Sequence, residues 1–549
     1  MTEGTPSVPS FPQPAAPGQP VPAPPGPPPA PFAPPPAGSF PPPPAPFAPP
    51  PAGYGPPTAF PPAPAGPYGS PPPGYGPPQF PPYGGYPPPV APPPVRRSKR
   101  WLWITLSAVV LVLALCTGSA VVLKSQLDAQ NAASAAELDE KYNPIRQEEI
   151  EALLDARGKA LRAKDLKTFL APFDPANKAL VAQQTRLFRN LLKVPLAEQK
   201  FERVTQTDFK RAGDRVTVDV TISFVHRFEF DLTPVEELYR WTLLRPAKGA
   251  PVKVTKAGGL PVDPKRDQLT YYPAPWDKWS DLHVERTPHT VILVDGKLKA
   301  EAKRYAQLAD RAAAADLATW RSGGVAGKIP QGFVLSLVKG KKELGSLYRV
   351  TKELPDESGV SIPVPPAGWM DTQREGGGPD VGASRVVIDV ADEFFFRNGT
   401  ALRANIFRHE FAHSIVFNLR QHDPKKYAGE ELENWVVEGF AEWMGAQRQS
   451  WTKSDRTPES RRILRSLGYD LPMPSNFSWD MSGRGSYHYW LGHSAMTYIA
   501  ERYGERKVFE FVATHYRGKT VQASTQEVLG VSYATFCDQW AAYVVARMR

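Results

Sequence analysis

The sequence predicts an α+β protein assembled in series: a disordered Pro-rich tail over 1–95, a basic flank and single transmembrane helix over 96–124, a stalk over 125–143, an accessory α+β domain over 144–295, and a mostly helical domain with a small sheet over 296–549. Three observations carry this. Of the 65 prolines, 43 precede residue 96. The 23 residues from Trp101 to Leu123 carry no charge. Beyond them, helical spacing of apolar residues changes to alternation after Phe201 and returns after Leu298.

The first stretch is predicted not to fold. It is rich in Gly and Ala, has almost no charge, and offers too few aliphatic side chains to offset chain entropy, while its prolines favour extended polyproline II. An imperfect repeat runs through it, with Pro31–Phe40 (PFAPPPAGSF) echoed by Pro46–Gly55 (PFAPPPAGYG) and GYGPP recurring at Gly53 and Gly74. Two roles fit this composition: a flexible tether, or a docking tail for proline-reading cytoplasmic partners or for self-association, its spaced Phe and Tyr offering stacking groups on a stiff backbone.

An uncharged helix of 23 residues is long enough to cross a hydrocarbon core. Trp101 and Trp103 stand where an interfacial belt would place them. Arg96, Arg97, Lys99 and Arg100 precede the run and only Lys124 follows it, so the expected topology is single-pass in the cell membrane. The N-terminus is then cytoplasmic and the C-terminal domains extracytoplasmic. A cleaved signal peptide has a shorter apolar core and no such tail before it, and a buried soluble helix of this length rarely lacks a polar face.

The two cysteines, Cys116 and Cys537, cannot form an intrachain bridge in this arrangement, so the folded domains must be stable without one. The net charge of +10 includes the four positives of the flank, and the rest is scattered without a basic stripe. Nucleic acid is excluded as a partner on that ground.

In the accessory domain, Glu148–Phe173 and Leu180–Leu192 have helical periodicity. Val216, Val218, Val220, Ile222 and Phe224, then Tyr239–Leu244, read as a strand meander, and HTVILV at His289–Val294 closes the unit near Asp295. Helices followed by a curved sheet resemble the cone fold of the ketosteroid-isomerase type. No constellation of polar residues there suggests chemistry, and the expected role is accessory.

The last domain opens with an Ala-rich helix, Leu298–Trp320, followed by the apolar stretch Gly332–Val338 and a Gly- and Pro-rich loop, Ser358–Ala383. Ser384–Val390 (SRVVIDV) reads as a strand and is expected to form the edge of a substrate cleft. Thr400–Arg420 reads as a helix containing His409-Glu410-Phe411-Ala412-His413. Residues i and i+4 share one helix face, so His409 and His413 can point at one ion, while Glu410, offset by about 100°, lies beside a water on that ion. Two surface histidines would give the same spacing, but Ile406, Phe407, Ala412, Ile415, Val416 and Leu419 bury most of this helix. Imidazoles in such surroundings need a ligand or a partner.

A catalytic zinc site requires a third protein ligand. After His413 come 24 residues (414–437) and then Glu438-Gly439-Phe440-Ala441-Glu442. Together the two segments resemble the gluzincin zinc metallopeptidases, in particular the aminopeptidase N and thermolysin-like branches and the bacterial peptidases related to them. The spacing favours the last group. The resemblance covers about 250 residues and implies a zincin-type fold and Zn2+ held by His409, His413 and Glu438. It also implies Glu410 as the general base and Glu442 as the carboxylate that orients a ligating histidine. The segment Tyr489–Gly504 resembles the following helix of these peptidases, whose leading Tyr stabilises the oxyanion; Tyr489 takes that role, with Tyr487, His488 and His493 as alternatives. The G-x-M-E-N segment of the aminopeptidases has only a weak likeness here, at Gly368-Trp369-Met370-Asp371-Thr372. The expected function is hydrolysis of peptides or proteins outside the cytoplasm, and the competing one is a catalytically inactive zincin-fold sensory or binding domain coupled to the Pro-rich tail.

Overall fold

The computed structural model describes residues 143–260, 270–348, 357–368, 378–379, 381–392, 399–422, 432–446, 449–481 and 483–549, with Leu106, 124–134, Leu138 and Lys141 before them. The Pro-rich tail, most of the apolar run Trp101–Leu123 and the segment Trp369–Thr372 lie outside these residues. Among those described, no helix is long and apolar enough to cross a membrane. A span needs about 20 consecutive apolar helical residues, whereas the helical stretch 124–134 is exposed throughout and carries Lys124, Asp128 and several amides. That finding corrects the expectation of a transmembrane helix and of a single-pass membrane placement.

The remaining architecture is mixed helix and sheet. Three helices open it, α1 (Gln147–Arg162), α2 (Leu166–Leu170) and α3 (Lys178–Leu191). Asp165 and Asn177 begin the second and third, each accepting a backbone N–H three residues on. The chain then alternates, as Val216, Val218, Val220, Ile222 and Phe224 direct one face of a strand inward. The first sheet is antiparallel, in the order β1 (Leu196–Gln206), β3 (Arg215–Phe228), β4 (Val235–Arg245), β5 (Lys253–Gly259), with β2 (Lys210–Ala212) also paired to β3. Helices and sheet enclose Arg157, which is 1% exposed. Its guanidinium lies over Phe169 at 3.5 Å and donates to Gln184 and the Phe169 carbonyl.

The second sheet runs β6 (Leu282–Arg286), β7 (Thr290–Asp295), β8 (Phe333–Val338), β10 (Ala383–Asp389), β9 (Gly359–Val364). The pairs β7·β8 and β8·β10 are parallel, and the outer pairs β6·β7 and β10·β9 are antiparallel. Strand β7 belongs here, although its sequence reads as the close of the first unit. It is buried on both faces: Val291 and Leu293 pack with the first unit, while Ile292 and Val294 pack with the helices. A strand covered on both sides is apolar at every position and gives no sign of which sheet it joins.

A short helix, α4 (Pro275–Lys278), precedes β6, α5 (Lys299–Ser322) joins β7 to β8, and α6 (Lys341–Ser346) follows β8. The sheet is thus a shared wall, with the first unit on one face and helices on the other. Across the wall Arg385 of β10 makes a bidentate pair with Asp231, at 2.7 and 2.8 Å, both side chains at most 3% exposed. Arg385→Met leaves Asp231 buried without its counter-charge, and unfolding free energy is expected to fall by about 3–5 kcal/mol. Urea denaturation measures the loss, and adding Asp231→Asn, which removes the stranded charge, recovers part of it.

On the helical side stand α7 (Gly399–Val416), α8 (Asn434–Gly445), α9 (Thr457–Ser466), α10 (Asn476–Met481), α11 (Gly485–Tyr503), α12 (Glu505–Tyr516) and α13 (Tyr533–Met548). Glycine sets the closest crossing. A Cβ on Gly439 of α8 would lie 2.6 Å from the backbone of Gly492 on α11, so the two helices meet backbone to backbone.

Candidate metal centre

Helix α7 carries His409, Glu410 and His413, and it is held by its apolar side. Phe407, Phe411, Ala412, Ile415 and Val416 are fully buried, with Phe411 stacked on Phe333 of β8 at 4.2 Å. That leaves the opposite edge of the helix facing α8. The Nε2 atoms of His409 and His413 are 3.1 Å apart, and each is 3.3 Å from Glu438 Oε2. That oxygen is buried, and the two imidazole nitrogens are the polar groups set against it. Among the described residues these three form the one group of potential ligands able to hold a metal ion. The charge environment agrees. Burial opposes charge on His409, yet its contact with Glu438 and the nearby Glu410 and Glu442 carboxylates hold its pKa up at about 9. Burial likewise opposes ionisation of Glu438, but His413 and His409 keep its carboxyl well below the usual range. Positive charge is favoured at this point.

The cluster opens into a cavity of about 820 Å³. Glu410 lines it, and burial pushes its carboxyl pKa up against the opposing pull of His409 and His413. Ser361 of β9 donates its hydroxyl to the Glu410 carbonyl at 2.5 Å. A Cβ on Gly359 would stand 2.9 Å from Glu410 Oε1, so a larger residue there would displace the Glu410 carboxylate. The cleft strand is therefore β9, correcting the expectation for Ser384–Val390, which lies inside the sheet between β8 and β9. Residues Glu357 to Ser361 border the cavity, and no strand pairs with the outer edge of β9 among the described residues. Within SRVVIDV the consecutive Val386, Val387 and Ile388 are all buried, which reflects cover on both faces rather than an edge.

Glu442 lies one turn beyond Glu438. Its Oε1 is 3.8 Å from His409 Nδ1 and accepts from Arg456 at 2.9 Å. Burial raises the Glu442 pKa, but Arg456 and His409 outweigh it and keep the carboxylate ionised. Arg456 escapes the sequence reading, because a lone arginine 14 residues from its partner has no spacing signal. Its guanidinium also donates to Ser486 and lies 4.9 Å from the Tyr489 ring centre.

Of the four candidates on α11, the structure brings Tyr489 and His493 to the cavity, and leaves Tyr487 and His488 off its lining. The Tyr489 ring is 6.0 Å from that of His409 and packs against Trp479 at 5.3 Å. Burial, then Glu438, Glu357 and Glu442, push its phenol pKa well up, so the hydroxyl keeps its proton and can donate. His493 is buried, its pKa lowered to about 4 by burial, and its Nε2 has no hydrogen-bond partner. Tyr487 stacks on Trp490, and His488 packs at a tilt against Trp479.

No protein-family model matches the chain, and no curated protein matches it.

Proposed function

We propose that the chain is a zinc metallopeptidase. The observation that carries this is the convergence of His409, His413 and Glu438 at 3.1 to 3.3 Å from one another, in a cavity that also holds Glu410 and an open strand edge. Ligands about 2.0–2.1 Å from a tetrahedral zinc stand roughly 3.3 Å apart, which suits the spacing here, and two imidazoles with one carboxylate are a zinc donor set that leaves a position open. Bound zinc would acidify a water and polarise the scissile carbonyl. Glu410 accepts the proton of the attacking water and returns it to the leaving amine as the C–N bond breaks. Tyr489 donates to the oxyanion that develops on the carbonyl. An extended peptide pairs with the edge of β9 that no strand takes among the described residues, which brings its backbone past Glu410. A base held beside the ligand cluster favours this reading over an inactive zincin-fold binding domain.

Hydrolysis of a denatured protein or a mixed peptide pool by the full-length chain tests the proposal. Activity is expected to vanish with a chelator and return with zinc; no hydrolysis of any substrate under zinc-replete conditions would overturn it. In the same assay, Tyr489→Phe removes one donor to the oxyanion, and turnover is expected to fall by roughly tenfold to a thousandfold with zinc content unchanged. Unaltered turnover would move the role to His493, the other α11 candidate that reaches the cavity.

A further inference from the structure

We propose that Arg408 is a positioning residue that sets the spacing of the two ligand-bearing helices, and that Asp316 is the counter-charge that holds it in place. Arg408 directly precedes His409 on α7. Its guanidinium points away from the cavity, into the core, and is 3% exposed. Nε and Nη2 donate to the Met444 carbonyl at 3.0 and 2.7 Å, and Nη2 also lies 3.0 Å from Asp316 Oδ1 in an ion pair, neither Asp316 oxygen having a hydrogen-bond partner. Asp316, on α5, is fully buried. One side chain thus joins three helices.

Its target on α8 matters. Met444 is in the last turn of that helix, two residues beyond Glu442 and six beyond Glu438. Carbonyls in the last turn carry the helix's negative end, so a guanidinium with two N–H groups on one of them caps it. The same seam is closed by Gly445, where a Cβ would sit 3.0 Å from the Asn405 carbonyl and 3.6 Å from His409 Cβ. Arg408 and Gly445 therefore define where α7 and α8 touch. The separations of His409 from Glu438 and Glu442 follow from that contact.

An arginine suits the task for a geometric reason. Its planar fork can serve a carbonyl and a carboxylate together, whereas a lysine ammonium on its flexible stem cannot fix both directions. Stability alone does not call for the pair, since replacing a buried ion pair by apolar residues of similar volume is often neutral or stabilising. The inference rests on the metal-binding part of the function proposed above and is independent of peptide hydrolysis.

The test uses the full-length chain with Arg408→Lys and with the double change Asp316→Leu/Arg408→Met. Zinc affinity is read by competition with a chromophoric chelator, ligand geometry by the visible spectrum of the cobalt-substituted protein, and stability by urea denaturation. Both variants are expected to bind zinc about ten- to a hundredfold more weakly, with a shifted cobalt band. The double variant removes both buried charges and loses the Met444 cap, so its unfolding midpoint is expected to fall only modestly; the shifted cobalt band in the folded variant separates positioning from a merely structural role. If it does not fold, Arg408→Lys, which retains the charge opposite Asp316, still decides. Wild-type zinc affinity and an unchanged cobalt spectrum in either folded variant would overturn the proposal. A wild-type chain that takes up neither zinc nor cobalt would overturn the metal site itself.

Discussion

Glu410→Gln is expected to reduce hydrolysis to background, a loss of roughly a hundredfold to ten-thousandfold, while one equivalent of zinc stays bound. The reason is the division of labour on α7. His409 and His413 turn their Nε2 atoms to the common point with Glu438, whereas Glu410 is offset around the helix and rests against Gly359 of the cleft strand. An amide is isosteric, so it preserves that packing, but it cannot accept the proton of an attacking water. Burial and the two imidazoles pull the Glu410 carboxyl in opposite directions, and burial is the larger influence. A base tuned upward in this way works nearer neutral pH. Metal analysis and an activity assay on the purified variant check the prediction, and hydrolysis within tenfold of wild type would remove Glu410 from the mechanism.

The second large effect concerns Glu438. Glu438→Ala deletes the oxygen that stands 3.3 Å from both imidazole nitrogens and is expected to lose most bound zinc together with all activity. Glu442→Ala leaves the three ligands in place but frees the outer nitrogen of His409 and strands Arg456. Zinc affinity is then expected to fall by about ten- to a hundredfold, so that excess zinc restores part of the activity. Assays at two zinc concentrations separate the variants. A Glu438→Ala protein that keeps a full equivalent of tightly bound zinc would show that the third ligand lies elsewhere.

The parts of the site that were legible beforehand are those set by local periodicity. His409 and His413 are four residues apart, as are Glu438 and Glu442, and on a helix that interval alone places each pair on one face. The parts that were not legible depend on which distant segments meet. Strand β9 carried a usable signal, since GVSIPV alternates and contains Pro363, which a central strand tolerates poorly. It reads as part of a Gly- and Pro-rich loop because the residues on either side of it dominate the composition. Arg456, Arg408 and Asp316 carried no such signal: each is a lone charge whose meaning appears only when its partner, 14 to 92 residues away, is brought alongside.

From the order of residues alone came the proposed donor set, the proposed base and the helical frame that presents them, because a helix converts spacing directly into direction. Only the tertiary structure decided that β9 and not Ser384–Val390 borders the cleft, that Tyr489 and His493 reach the cavity while Tyr487 and His488 do not, and that β7 joins the second sheet. Those outcomes turn on strand pairing and helix crossing between segments far apart in the chain. A strand buried on both faces looks the same in any sheet, and an aromatic residue on a helix buried all round can face any neighbour.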